Sequence, residues 1–380
     1  MNTMTQDPNG RRAYRSIAAR MRRPTVRRRR IGALVVALAA VAVLGAASGS
    51  GPVEVAQASP TACPDTVYLG NYPSNSEGWT GDSDGVAHDD GDWFFTTQDW
   101  LLKIPVQYNL ATPFNPAHPP AGVETRGPNP LSSYGYDHLG DLDQVGGFLF
   151  VPVENSSKKR PPAIAVFKAS DLSFVGLKVT AQANAGWVAF NARQDLLYSS
   201  DNDVSGTDPL YRYKVDFSKL ATGDVGDGIT YQDRFHLLEA NGTQLSPPLG
   251  NWMQGGVFTP RGDLYVVNGN GDDFSFAVRG GIHLFGTNGR LIAESTNDSG
   301  KGAFDFAYSP GLDDQEPEGI DWWNRDVGPA SPGITGQLHV MLNDNNTFTA
   351  DKLFFKHYEV NYSCEPITGS GNGPGGTGAR

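Results

Sequence analysis

Carboxylates and two histidines recur just inside short glycine-opened runs of this chain: Asp84 and His88 in one, His138, Asp141 and Asp143 in the next, and Glu316, Glu318 and Asp321 in a late one. Amide side chains, Asn184 and Gln254, hold comparable places in the runs between. Oxygen donors gathered from several strands are what a hard cation such as Ca²⁺ needs, since it takes about 6–8 oxygen ligands. Glu318, Asn184 and Asp143 are the candidate metal ligands. His88 and His138 each adjoin aspartates, and an aspartate-oriented imidazole beside a cation could deprotonate water or a sugar hydroxyl. His138, His88 and Asp141 are therefore the candidate catalytic groups. Trp187 and Trp322, with Gln254, could form a platform on which a sugar ring stacks while its hydroxyls bond to the acids. Two blander accounts stand beside these: polar groups that satisfy one another and trapped water, and histidines bonded to backbone in turns. No strand-to-helix nucleophile elbow is read, since the one Gly-x-Ser-x-Gly match, Gly81-Asp82-Ser83-Asp84-Gly85, falls in an all-β pattern, and His-Glu-x-x-His and phosphate-loop patterns are absent, so serine-nucleophile and nucleotide chemistry are not expected.

Such scattered residues meet only if the fold gathers them. β-Branched and aromatic runs alternate with Gly, Asn, Asp and Pro clusters, and no long stretch keeps a 3.6-residue apolar period, which is an all-β pattern. Residues 255–295 read as four consecutive strands. Five such units, opening at Gly85, Gly140, Gly186, Gly256 and Gly319, point to a β-propeller of five blades, with a sixth possible in the long interval from Asp201 to Leu249. In a propeller the innermost strands share an axis, and that axis is where the candidates above would meet. The fifth unit lacks a fourth strand, and the run Thr66–Leu69 is available to complete it. Cys63 and Cys364 flank those two end strands, and a disulfide between them is expected in an oxidising compartment.

The first 58 residues read as an export signal: arginines from Arg11 to Arg30, an apolar run from Ile31 to Ala47, and Ala56-Gln57-Ala58 as a cleavage site. The run is shorter than the ~20 residues of a spanning helix, so cleavage and an extracellular location are expected, by the general or the twin-arginine route. The leader holds ten of the 30 basic and two of the 41 acidic residues, leaving the mature chain at a formal −19. So acidic a surface repels phosphate backbones and anionic lipid, which argues against nucleic acid or membrane partners and for a cation or small polar ligand. Residues 59–366 should form a single domain, a monomer, and the glycine-rich tail 367–380 should be disordered.

The segment Gln315-Glu316-Pro317-Glu318-Gly319-Ile320-Asp321-Trp322 resembles the Pro-Glu-Gly element on an inner strand of the gluconolactonase, paraoxonase and phytase-like propellers. That resemblance implies a calcium ion on the axis with Glu318 as a ligand, and Asn184 and Gln254 where those families place further oxygen donors. It implies no catalytic mechanism. Three functions follow: binding of a carbohydrate or other small polar ligand at the axial mouth, with Ca²⁺; calcium-dependent hydrolysis or elimination on a lactone, ester or glycoside; or an inert interaction scaffold.

Overall fold

The computed structural model describes residues 65–75, 78–201, 210–246, 248–249, 253–269, 279–295, 315–344 and 352–362. The expected export signal, Cys63, Cys364, Trp252 and the tail lie outside the described residues. All those described fall in one compact unit, Ala58–Arg380.

Strand β1 (Asp65–Asn75) is followed by β2 (Ser83–His88), β3 (Asp92–Thr97), β4 (Leu101–Pro105) and β5 (Glu124–Arg126), which make the first antiparallel sheet in that order. The second sheet holds β6 (His138–Leu139), β7 (Asp143–Val145), β8 (Phe148–Glu154), β9 (Ala163–Lys168) and β10 (Phe174–Val179). The third runs β11 (Val188–Asn191), β12 (Leu196–Ser200), β13 (Leu210–Val215), β14 (Ile229–Phe235), and the fourth β15 (Met253–Phe258), β16 (Leu264–Asn268), β17 (Gly281–Phe285), β18 (Leu291–Glu294). The last is built from β19 (Gln315–Trp322), β20 (Leu338–Asp344) and β21 (Lys352–Asn361), with β1 as its outermost strand, paired antiparallel to β21 from Asp65↔Asn361 to Asn75↔Leu353. This is a five-bladed β-propeller. The interval after Asp201 carries β13, two short helices (Phe217–Ala221 and Val225–Gly228) and β14, and no sixth sheet among the described residues. No helix of the described residues is long and apolar enough to cross a membrane.

Hydrophobic burial holds the blades together face to face. One interface packs Phe94 and Leu101 of the first blade on Leu149, Val151 and Phe167 of the second, and another packs Trp187 and Tyr198 of the third on Leu264 and Val266 of the fourth. Side chains alternate across each strand, so every blade offers an apolar face to both neighbours. The innermost strands obey a different constraint, because five backbones converge there. A Cβ added to Gly319 would lie 2.9 Å from the Gly85 Cα, and one at Gly85 would lie 2.5 Å from the Asp141 Cα. The glycines that open each unit are thus the residues that let the strands approach the axis.

The inner strand of the second blade is interrupted. β6 and β7 both pair with β8, but after Gly140, whose N–H still donates to Pro152 O of β8 (2.9 Å), Asp141 and Leu142 leave that ladder, and Asp141 forms a parallel bridge to Trp187 of the third blade. This detour places the Asp141 carboxyl on the axis.

Candidate functional site

Asp141 is fully buried and tied to every other blade's inner strand that borders it. Its Oδ1 accepts from Val86 N (3.0 Å), and its Oδ2 from Gly256 N (3.2 Å) and Ile320 N (3.3 Å), while its own N–H donates to Gly186 O (2.9 Å) and its carbonyl accepts from Val188 N (3.0 Å). Burial pushes this carboxyl well above the usual carboxylate range, against the pull of three amide donors. With nothing left for a substrate to reach, Asp141 is a plug that divides the axis into two mouths.

The first mouth lies where the inner strands begin. There the Asp84 end of β2 faces Glu316 and Glu318 of β19. Both Asp84 and Glu318 are buried, and burial, reinforced by neighbouring carboxylates, raises each carboxyl well above its ordinary range: Asp82, Glu316 and Asp99 act on Asp84, and Glu316 and Asp84 on Glu318. Gln254 Nε2 donates to Glu318 Oε2. Asp84 Oδ2 is buried with no hydrogen-bond partner. His138 borders the same group: burial lowers its pKa, against Glu154, Asp137 and Glu316, so its imidazole is held neutral. Among the described residues no three acid or imidazole side chains already stand at metal-binding spacing.

The far mouth lies where the inner strands end. His88 Nδ1 bonds both carboxylate oxygens of Asp321, at 2.8 and 3.0 Å, and its ring stacks on Trp323 with centroids 4.5 Å apart. The imidazole is 27% exposed and Asp321 5%, so solvent reaches the histidine and not its partner. Asp143 stands nearby, its Oδ2 accepting from Phe190 N (2.6 Å) and its Oδ1 from Gln144 N (2.6 Å). Burial first, then the Asp321 charge, raises the Asp143 carboxyl to about 7 in spite of those donors and of His88. An imidazole oriented through Nδ1 beside an acid that titrates near neutrality can take and return a proton.

The structure therefore separates residues that the sequence analysis grouped. His88 and His138 sit at opposite mouths. Of the three expected metal ligands, Glu318 is in the first mouth, Asn184 is on its rim with Oδ1 3.4 Å from Lys158 Nζ, and Asp143 is in the far mouth beside His88 and Asp321. Trp187 is fully buried between blades, its Nε1 donating to Ser200 Oγ (2.7 Å), which leaves no ring face for a ligand. Trp322 stacks on Tyr265 of the fourth blade (5.9 Å, 17°), away from both mouths. Gln254 is the expected ligand contact that does reach a mouth. A basic feature escaped the sequence analysis: Lys158-Lys159-Arg160, the lone run of three cations between residues 59 and 380, which lines a cavity of about 330 Å³ beside Asn184 and Glu154.

No protein family model matches the chain, and no curated protein does. Solved structures do match. A glutaminyl cyclase of Myxococcus xanthus aligns over 78% of this chain and 97% of its own at 11% identity, with a TM-score of 0.43. A gluconolactonase of Xanthomonas campestris aligns over 77% and 94% at 10% identity (TM-score 0.35), and an arabinanase of Bacillus subtilis over 78% and 100% at 14% (TM-score 0.42). What this chain does must be read from its own residues.

Proposed function

We propose that the protein is an exported, monomeric propeller that binds a small polar ligand, a carbohydrate or a molecule like one, in its first mouth, together with a calcium ion. Asp84 carries this reading. A buried carboxylate oxygen without a partner costs about 1–3 kcal/mol or more, and it lies among acids that repel one another into protonation. The donors available are hard oxygens, from Asp84, Glu316, Glu318 and the Gln254 amide, which suit Ca²⁺ and not a soft metal. The ion would draw these side chains together on binding, let Asp84 and Glu318 ionise and offer open positions to ligand hydroxyls. Calcium at a hundredfold excess over its Kd should stabilise the fold by about 2.7 kcal/mol, several degrees in melting temperature, and Asp84→Asn should abolish that shift. Melting curves that coincide in calcium and in chelator would sink the calcium reading.

The same melts, run with a reductant, address the ends of the chain. β1 and β21 pair to Asp65↔Asn361, and in the sequence Cys63 comes two residues before Asp65 and Cys364 three after Asn361. We infer a disulfide there, outside the described strands, as an extracellular location would allow. A melt indifferent to reductant counts against it.

A second reading, hydrolysis or elimination on a lactone, ester or glycoside, rests on the far mouth, where His88 would act as base and Asp143 as acid. An acid must hold its proton to act, so turnover should fall as pH rises through about 7, and His88→Ala should remove at least a hundredfold of the rate. A substrate panel that gives no turnover, or turnover untouched by His88→Ala, removes this reading.

A further inference from the structure

The rim of the first mouth carries a basic wall, although residues 59–380 have a formal net charge of −19. The loop after β8 presents Lys158, Lys159 and Arg160 in succession to the cavity of about 330 Å³, a volume in the range of small-ligand sites. Among the described residues none of the three has a carboxylate within 4 Å. Three adjacent like charges repel one another, and no described carboxylate forms an ion pair with any of them.

The loop is also built, not slack. Lys158 has φ +52°, a left-handed conformation that costs a side-chain-bearing residue free energy and persists only where the surroundings impose it. Asn155 imposes it. Its carbonyl accepts from Lys158 N (2.6 Å), its Oδ1 accepts from Lys159 N (2.9 Å) and Ser157 Oγ (2.7 Å), and its Nδ2 donates to Gly135 O (2.8 Å). Pro161 and Pro162 then fix the backbone where the loop returns to β9. On the opposite wall Gln182 is fully engaged, accepting from Tyr213 Oη and donating to Ser199 Oγ and Ser200 O, whereas Asn184 Nδ2 has no partner among the described residues.

Glu154 joins this cavity to the axis. It lines the cavity, accepts from Ala185 N at 2.5 Å, and pairs across the sheet with His138, which borders Glu316 in the first mouth. A ligand seated on the cations thus extends toward the axial acids.

We propose that this cavity is an anion subsite of the first mouth: it takes the carboxylate or phosphate of an acidic sugar, whose hydroxyls turn toward Asn184 and the axis. Arg160 supplies a planar fork that matches an oxyanion bidentately, and the two lysines supply point charges. The ligand's neutral half rests on the function proposed above; its charged half does not. The test is calorimetric titration of the wild type with D-galacturonate, D-galactose 6-phosphate and D-galactose, each in calcium and in chelator. At least one anionic sugar should bind tenfold or more tighter than galactose, the carboxylate and phosphate arms showing which anion is meant, and raising NaCl from 50 to 500 mM should erode that preference. Lys158→Ala/Lys159→Ala/Arg160→Ala should remove it, with an unchanged melting temperature because these side chains are exposed. An anion preference that persists in chelator upholds the subsite even where the calcium reading fails. No preference in the wild type, or one that survives the triple substitution or high salt, overturns it.

Discussion

Asp141→Ala is expected to destabilise the protein by on the order of 4–6 kcal/mol, enough to leave a domain of ordinary stability largely unfolded at 37 °C. The lost side chain accepts from Val86 N, Gly256 N and Ile320 N, three amides on three different blades. Each is buried beyond the reach of water, and each orphaned donor costs about 1–3 kcal/mol. Nor can the gap close by collapse, since the surrounding atoms are backbone already held in place by their own ladders. Asp141→Asn keeps the shape but turns an NH₂ toward at least one of the three N–H groups, so it should recover only part of the loss. Chemical denaturation of the two variants checks this order, and an alanine variant within about 1 kcal/mol of the wild type would show that Asp141 does not fasten the blades.

The fold was legible because its strongest physical demand is written locally. Inner strands near an axis must shed side chains, and Gly85, Gly140, Gly256 and Gly319 announce that in sequence whatever the loop lengths between them. The site was legible in its chemistry and not in its partition. Asp84 and His88 are four residues apart, close enough to read as one cluster, yet a strand rises ~3.3 Å per residue and so parts them by ~13 Å along the axis. Asp141 and Asp143 differ by two residues, a spacing that on an unbroken strand puts side chains on one face, but the first is consumed by backbone amides while the second faces His88 and Asp321. Only the detour between β6 and β7 decides which is which, and no periodicity records it. Trp187 misled for a related reason: an indole beside an opening glycine looks like a ligand platform, when the absent Cβ of Gly256 is what makes room for its ring.

Gly140→Ala should be nearly as damaging as the loss of Asp141, at about 3 kcal/mol or more, and for a connected reason. An alanine Cβ would lie 2.2 Å from the Gly186 carbonyl oxygen, the same oxygen that accepts from Asp141 N. That oxygen belongs to backbone, so relief requires the second and third blades to part. Parting them withdraws Asp141 from the amides of the other three, and the Gly140 carbonyl from Thr96 Oγ1 at 2.8 Å. Gly81→Ala is the control, since a Cβ there meets nothing within 4 Å, and it should change stability by less than about 0.5 kcal/mol. Because one displacement breaks both sets of contacts, the combined Gly140→Ala/Asp141→Ala variant should lose clearly less than the two single losses added together. Strict additivity in denaturation measurements would mean that the glycine and the carboxylate secure the axis independently, and that the blades do not lean on a single buried side chain.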